Sequence, residues 1–244
     1  MTVNITAALR DARALWQRDR DTLLRIAGPF LFLPTFASLL LIPYVGPEPG
    51  AGQEAAQQAM LNWLGLHIHW IAVRLVIDMF GVAALLTLYL DRSHQTVGEA
   101  LIRASRLFGG YLLASLLAWA IVFVGLLAFI APGLYAVGRL TMVGPAVVAE
   151  RKTEFGQAIA RSIQLTRGNG WSLLGVIAAV TLAGNIATLI VLRIGEGMAA
   201  ANATNPVTVA ILGAAGAAVA TLTTIARVLI EVAIYRRLVA NSGI

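Results

Sequence analysis

The chain has 244 residues, of which 59% are hydrophobic and only 12% charged. Soluble domains carry about 25% charged and about 45–50% apolar residues, so a mean hydropathy of +0.80 excludes a water-soluble fold. A formal net charge of +6 would suit nucleic acid in a soluble chain, but these arginines fall between apolar runs, where they report topology and attraction to anionic phospholipid instead.

With no cysteine there is no disulfide framework, thiolate metal site or thiol nucleophile. The first 22 residues mix acids with arginines and have no apolar core. They are expected to form an amphipathic cytoplasmic helix rather than a cleaved leader, so the chain is retained whole.

A hydrocarbon core about 30 Å thick needs about 17–25 apolar residues per helix. Six runs qualify, at about 23–44, 70–90, 110–130, 133–149, 171–192 and 207–235. They lack two-residue alternation, which predicts helices and not barrel strands. The fold class is therefore all-α, a single polytopic domain over 1–244. Arg10, Arg13, Arg18, Arg20 and Arg25 precede or open the first run, and Arg92, Arg103 and Arg106 follow the second. Arg151, Lys152, Arg161 and Arg167 follow the fourth, and Arg236 and Arg237 the sixth. The first alternate loop, Val45 to His69, has no lysine or arginine, and Arg193 alone stands near the last. This asymmetry predicts cytoplasmic N and C termini in a bacterial inner membrane.

The segments Thr96–Leu117 and Glu154–Gly175 match at Gly98 with Gly156, Ala100 with Ala158, and Arg103 with Arg161, and Ile5–Ile26 is a looser third copy. Each has apolar residues at helical spacing opposite arginines, the pattern of an interfacial helix. Each is expected to bend into a span, at Gly109–Gly110 or at Gly168–Asn169–Gly170. The result is three hairpins, each preceded by a surface helix. Arg10, Arg13, Arg103, Arg106, Arg161 and Arg167 are the expected inner-leaflet headgroup contacts.

The segment Ile130–Gly175 resembles the signature region of the bacterial glycerophosphoryl diester phosphodiesterase membrane domain family and of related six-span inner-membrane proteins of the YciC type. The matching features are Pro132 and Gly133, Arg139, Pro145, the alanine-rich helix with Arg161 and Ser162, and Gly168–Asn169–Gly170–Trp171. In that family the membrane domain is sometimes fused to a soluble phosphodiesterase, for which this chain has no room. The resemblance implies an association with phospholipid metabolism but no enzyme.

Arg139 lies in an otherwise uncharged run. Counting 1.5 Å per residue places it about 10 Å below the outer end of its span, Asp78 about 12 Å below and Asn185 about 10 Å below theirs. A charge at such depth is costly, so Arg139 is expected to face the bundle interior with Asp78 as counter-ion and Asn185 as hydrogen-bond partner. The cluster is either structural or an anion or lipid-phosphate site. Arg74, four residues before Asp78, either competes for its carboxylate or snorkels outward. Arg227 and Glu231 are expected to pair as anchors.

His67 and His69 read as part of an interfacial girdle, and no metal site, cofactor or catalytic set is expected. Gly213, Ala217 and Thr221 form a small-residue face for close helix approach, inside the bundle or across a homo-oligomer. Three readings follow: a non-catalytic, lipid-associated membrane-organising protein; a carrier or lipid-handling transporter with an anion or lipid-phosphate site at Arg139; and a regulatory module of phospholipid metabolism.

Overall fold

A computed structural model of the protein describes residues 4–42, 52–91, 96–150, 155–201 and 205–241. Arg92, Arg151, Lys152 and residues 43–44 of the first expected span lie outside the described residues. The described residues form helices, with no strand among them.

Helix α1 (Ile5–Ala27) begins where the Asn4 side chain accepts the Ala7 N–H at 3.0 Å, and it bends at Asp19 (φ −121°, ψ 15°). A π-helical turn, Gly28–Phe32, joins it to α2 (Leu33–Leu41). Pro29 and Pro34 each lack a backbone donor, and between them the Leu33 N–H reaches back five residues to the Gly28 carbonyl.

Helix α3 (Gln53–Leu90) runs for 38 residues. The stretch 53–69, read from the sequence as loop, is therefore helical. Its glutamines, alanines and leucines favour helix and no proline interrupts them. Helix α4 (Val97–Ala128) opens with a capping box between Thr96 and Glu99. It continues through Gly109 and Gly110 without the expected bend, because both glycines keep helical backbone.

The expected fourth span is broken in two, α5 (Ile130–Leu140) and α6 (Val143–Glu150). Pro145 explains the break. It has no N–H for the Thr141 carbonyl, and its ring crowds that carbonyl in a continuous helix. Neither piece can cross a bilayer alone, but end to end they reach about 30 Å. Then follow α7 (Phe155–Leu165), α8 (Gly170–Ala201) and α9 (Pro206–Asn241). The α7–α8 turn bends at Gly168, whose φ of +79° suits glycine.

Among the described residues five helical stretches are long and apolar enough to cross a membrane: Ile5–Leu41, Gln53–Leu90, Val97–Ala128, Gly170–Ile194 and Pro206–Ala240. This is a multi-pass membrane protein. The helices form a ring in which α9 packs on α1, α2 and α8, α8 on α5, α5 on α4, and α4 on α3. Helix α6 fills the centre, against α3, α4, α7 and α9. Its own Val147 is buried, as are Leu85, Leu86, Ala104, Ala158, Val232 and Ile234 of the surrounding helices. Farther along the same helices, Leu66, Leu127, Ile190 and Val209 are exposed, as a hydrocarbon solvent permits.

Small residues set the closest approaches. A Cβ at Gly138 would lie 2.0 Å from the Gly170 carbonyl oxygen, so α5 meets the start of α8 through bare backbone. A Cβ at Gly109 would meet nothing within 4 Å. Gly138→Val is therefore expected to destabilise by about 1–3 kcal/mol or more, and Gly109→Ala to stabilise by about 0.5–1 kcal/mol. Thermal unfolding of the purified variants checks both. A neutral Gly138→Val would deny the close contact, and a destabilising Gly109→Ala the unbroken α4.

Candidate functional site

Arg139 closes α5, and its guanidinium meets backbone carbonyls. Nη2 donates to the Ile163 carbonyl at 2.7 Å, and Nη1 approaches the Thr166 carbonyl at 3.4 Å and the Tyr135 hydroxyl at 3.5 Å. The Ile163 carbonyl belongs to the last turn of α7, where a helix leaves acceptors unpaired and its dipole favours a cation, and the Thr166 carbonyl also accepts the Asn169 N–H at 3.0 Å. The grip is reciprocal. The carbonyl of Arg139, released by the helix break, accepts the Ser162 hydroxyl at 2.8 Å and the Thr166 hydroxyl at 3.1 Å. The guanidinium also sits 5.7 Å from the Tyr135 ring centroid, and that ring lies 5.5 Å from the ring of Trp171.

Magnitudes explain why no carboxylate is needed. A charge at membrane depth costs about 2.5–3.5 kcal/mol on the insertion scale. One hydrogen bond to a charged group returns about 1.5–3 kcal/mol, and a helix C-terminus adds about 0.3–1 kcal/mol. Neutral carbonyls therefore suffice to hold the cation.

Asp78 is accordingly not the partner of Arg139. It pairs with Arg74 one helical turn away, Nε to Oδ2 3.4 Å, and Arg74 Nη2 donates to Thr35 on α2 at 3.3 Å. This small cluster joins α3 to α2. Asn185 is exposed on α8 and does not reach Arg139. The expected four-residue cluster thus divides into two sites and an isolated amide, because counting depth along helices ignores which faces meet.

The other arginines named from the sequence sort into two sets, engaged and exposed. Arg103 pairs with Asp91 at the end of α3, and Arg161 with Glu150 at the end of α6 at 2.6 Å. Arg237 on α9 reaches Asp11 on α1 at 2.6 Å, bringing the first and last described helices together. Tyr235 donates to Glu150 at 3.0 Å, and Arg236 to the Tyr89 carbonyl. Arg103 and Arg161 are therefore engaged within the protein by Asp91 and Glu150. Arg10, Arg13, Arg106 and Arg167 are exposed and form no ion pair with another described residue. Arg139 and Arg167 share the rim of an open groove of about 480 Å3 with Pro132 and Tyr135.

Arg227 and Glu231 do lie together on α9, Nε to Oε1 3.6 Å. They line a cavity of about 280 Å3 at the break between α5 and α6, with Tyr111 and Ser115 of α4, Thr141 and Thr181. Sequence reading missed this cavity. The available signals were Pro145 four residues after Thr141, and Tyr111 and Ser115 spaced by four. Gly213 packs near Phe36 and Leu40 of α2, while Ala217 and Thr221 are 0% and 5% exposed. That face is filled within the chain and is not available to a second copy.

His67 bonds to the Trp63 carbonyl, and the His69 ring lies tilted 5.3 Å from that of Trp70. Among the described residues no group of three or more metal-binding side chains occurs. No family model, curated protein or solved structure matches the chain.

The regrouping is checked by two double-mutant cycles read by thermal unfolding. Asp78→Asn combined with Arg139→Gln should be additive within about 0.5 kcal/mol, whereas Arg139→Gln combined with Ser162→Ala should couple by more than that. Coupling in the first cycle with additivity in the second would restore the Asp78–Arg139 pair.

Proposed function

We propose that this is a non-catalytic, lipid-associated protein of the bacterial inner membrane that anchors and organises acidic phospholipid at its arginine-rich end. It crosses the bilayer six times, the fourth time as the broken pair α5–α6, with both termini cytoplasmic. The observation that carries this reading is the division of the arginines. Arg237, Arg103 and Arg161 are neutralised by Asp11, Asp91 and Glu150, while Arg10, Arg13, Arg106 and Arg167 stay exposed.

The surface helices fit an interfacial position. In α1, Ala8, Ala12 and Leu15 are buried and Arg10 and Arg13 exposed, and in α7, Ala158, Ser162 and Leu165 are buried. Ala100 and Ala104 repeat that small-residue spacing in α4. Arg103 and Arg161 each pair with an acid 12 and 11 residues earlier. Both regularities support an internal repeat. The resemblance to phosphodiesterase membrane domains agrees with a lipid role, and the regulatory reading rests on that resemblance alone.

Each basic residue near an acidic surface contributes about 1 kcal/mol. Replacing Arg10, Arg13, Arg106 and Arg167 together by glutamine should therefore reduce phosphatidylglycerol retained through purification by about tenfold or more. Native mass spectrometry reads the retained lipid, with thermal unfolding as the control for folding. Undiminished phosphatidylglycerol on a folded variant would defeat the proposal.

A further inference from the structure

The cavity at the broken helix holds a charged pair whose members do not satisfy one another. Arg227 and Glu231 approach to 3.6 Å, beyond ordinary hydrogen-bond length, and Arg227 Nε is buried without a hydrogen-bond partner. Both side chains border open space of about 280 Å3. An unmet donor and a carboxylate beside an unfilled volume indicate that a ligand, not the pair itself, completes the polar contacts.

Charge balance selects the ligand. Cation and anion on α9 already cancel, so a simple anion or cation would bring an uncompensated charge into a low-dielectric space. A zwitterion would not. Its acid group would face Arg227 and the first residues of α6, Val143 and Gly144, which border the cavity where a helix N-terminus favours negative charge. Its ammonium would face Glu231. The hydroxyls of Tyr111, Ser115, Thr141 and Thr181 supply further donors and acceptors, and Val122, Leu140 and Ile177 an apolar wall. Trp119, 66% exposed, stands at the mouth on the outer face of α4. Irregular backbone at membrane depth is tolerated where it lines such a cavity, as at the discontinuous helices of carriers.

We propose that the α5–α6 cavity binds a zwitterion carrying a primary ammonium and an acid group, held between Arg227 and Glu231. That chemistry comes either from an aminophospholipid headgroup or from a free amino acid. The site is separate from the exposed arginines that carry the lipid-anchoring proposal.

The test uses the full chain in detergent with two probes. Phosphatidylethanolamine is compared with phosphatidylglycerol by native mass spectrometry, and leucine is titrated with thermal unfolding as readout. Preferential retention of phosphatidylethanolamine identifies the lipid source, and a leucine-dependent rise in Tm the free one. In either case Arg227→Gln and Glu231→Gln should each weaken binding about tenfold or more. Because a single change strands a buried charge, two further variants are included. Ala178→Leu fills the cavity and leaves the pair intact, and Arg227→Gln with Glu231→Gln removes both charges. Both should fold and lose the ligand. The four-arginine variant should keep it, which separates failure here from failure of the lipid-anchoring proposal. Absence of binding by both probes overturns the site, as does equal retention of the two lipids by the four-arginine variant without a leucine response, or binding that survives Ala178→Leu.

Discussion

The fold turns on one exchange of hydrogen bonds, between Arg139 at the end of α5 and the end of α7. The guanidinium reaches the Ile163 carbonyl, while the backbone carbonyl of Arg139 takes hydroxyls from Ser162 and Thr166. Each side supplies what the other lacks. The broken helix frees a carbonyl and carries a cation, and α7 offers the Ile163 carbonyl and two hydroxyls one turn apart. Because these groups are satisfied, the chain can interrupt a span at Pro145 without leaving its backbone exposed to hydrocarbon.

From that interruption the central space follows. Helix α6 turns into the middle of the ring, where Val143, Ala146, Val147 and Val148 are buried, and leaves the cavity bordered by Arg227 and Glu231 beside the break. At the opposite end of α6, Glu150 receives Arg161 and Tyr235, tying α6 to α7 and α9. One eight-residue helix thus links the arginine-rich end to the cavity. Arginines already neutralised serve the fold, and Arg10, Arg13, Arg106 and Arg167 stay exposed.

The long helices were legible because an unbroken apolar run has few outcomes in a membrane protein. The break in the fourth was not, since hydropathy is continuous from Ile130 to Ala149 and only Pro145 marks the interruption. The extension of α3 back to Gln53 was hidden for the opposite reason, as polar residues there obscure a helix that extends beyond bilayer length. Arg139 was conspicuous, but its partner was sought among carboxylates. The actual acceptors are backbone carbonyls, which every residue possesses and composition cannot mark. Arg227 and Glu231 were found by their spacing of four, whereas the cavity beside them depends on residues from six helices.

A density map of the protein in lipid nanodiscs, resolving side chains over residues 135–170, is the most direct measurement. The Arg139 guanidinium is expected within about 3 Å of the Ile163 carbonyl oxygen, with the Ser162 hydroxyl on the Arg139 carbonyl and the helix interrupted at Thr141. A continuous helix through Pro145 with Arg139 turned to Asp78, or to the acyl chains, would contradict it.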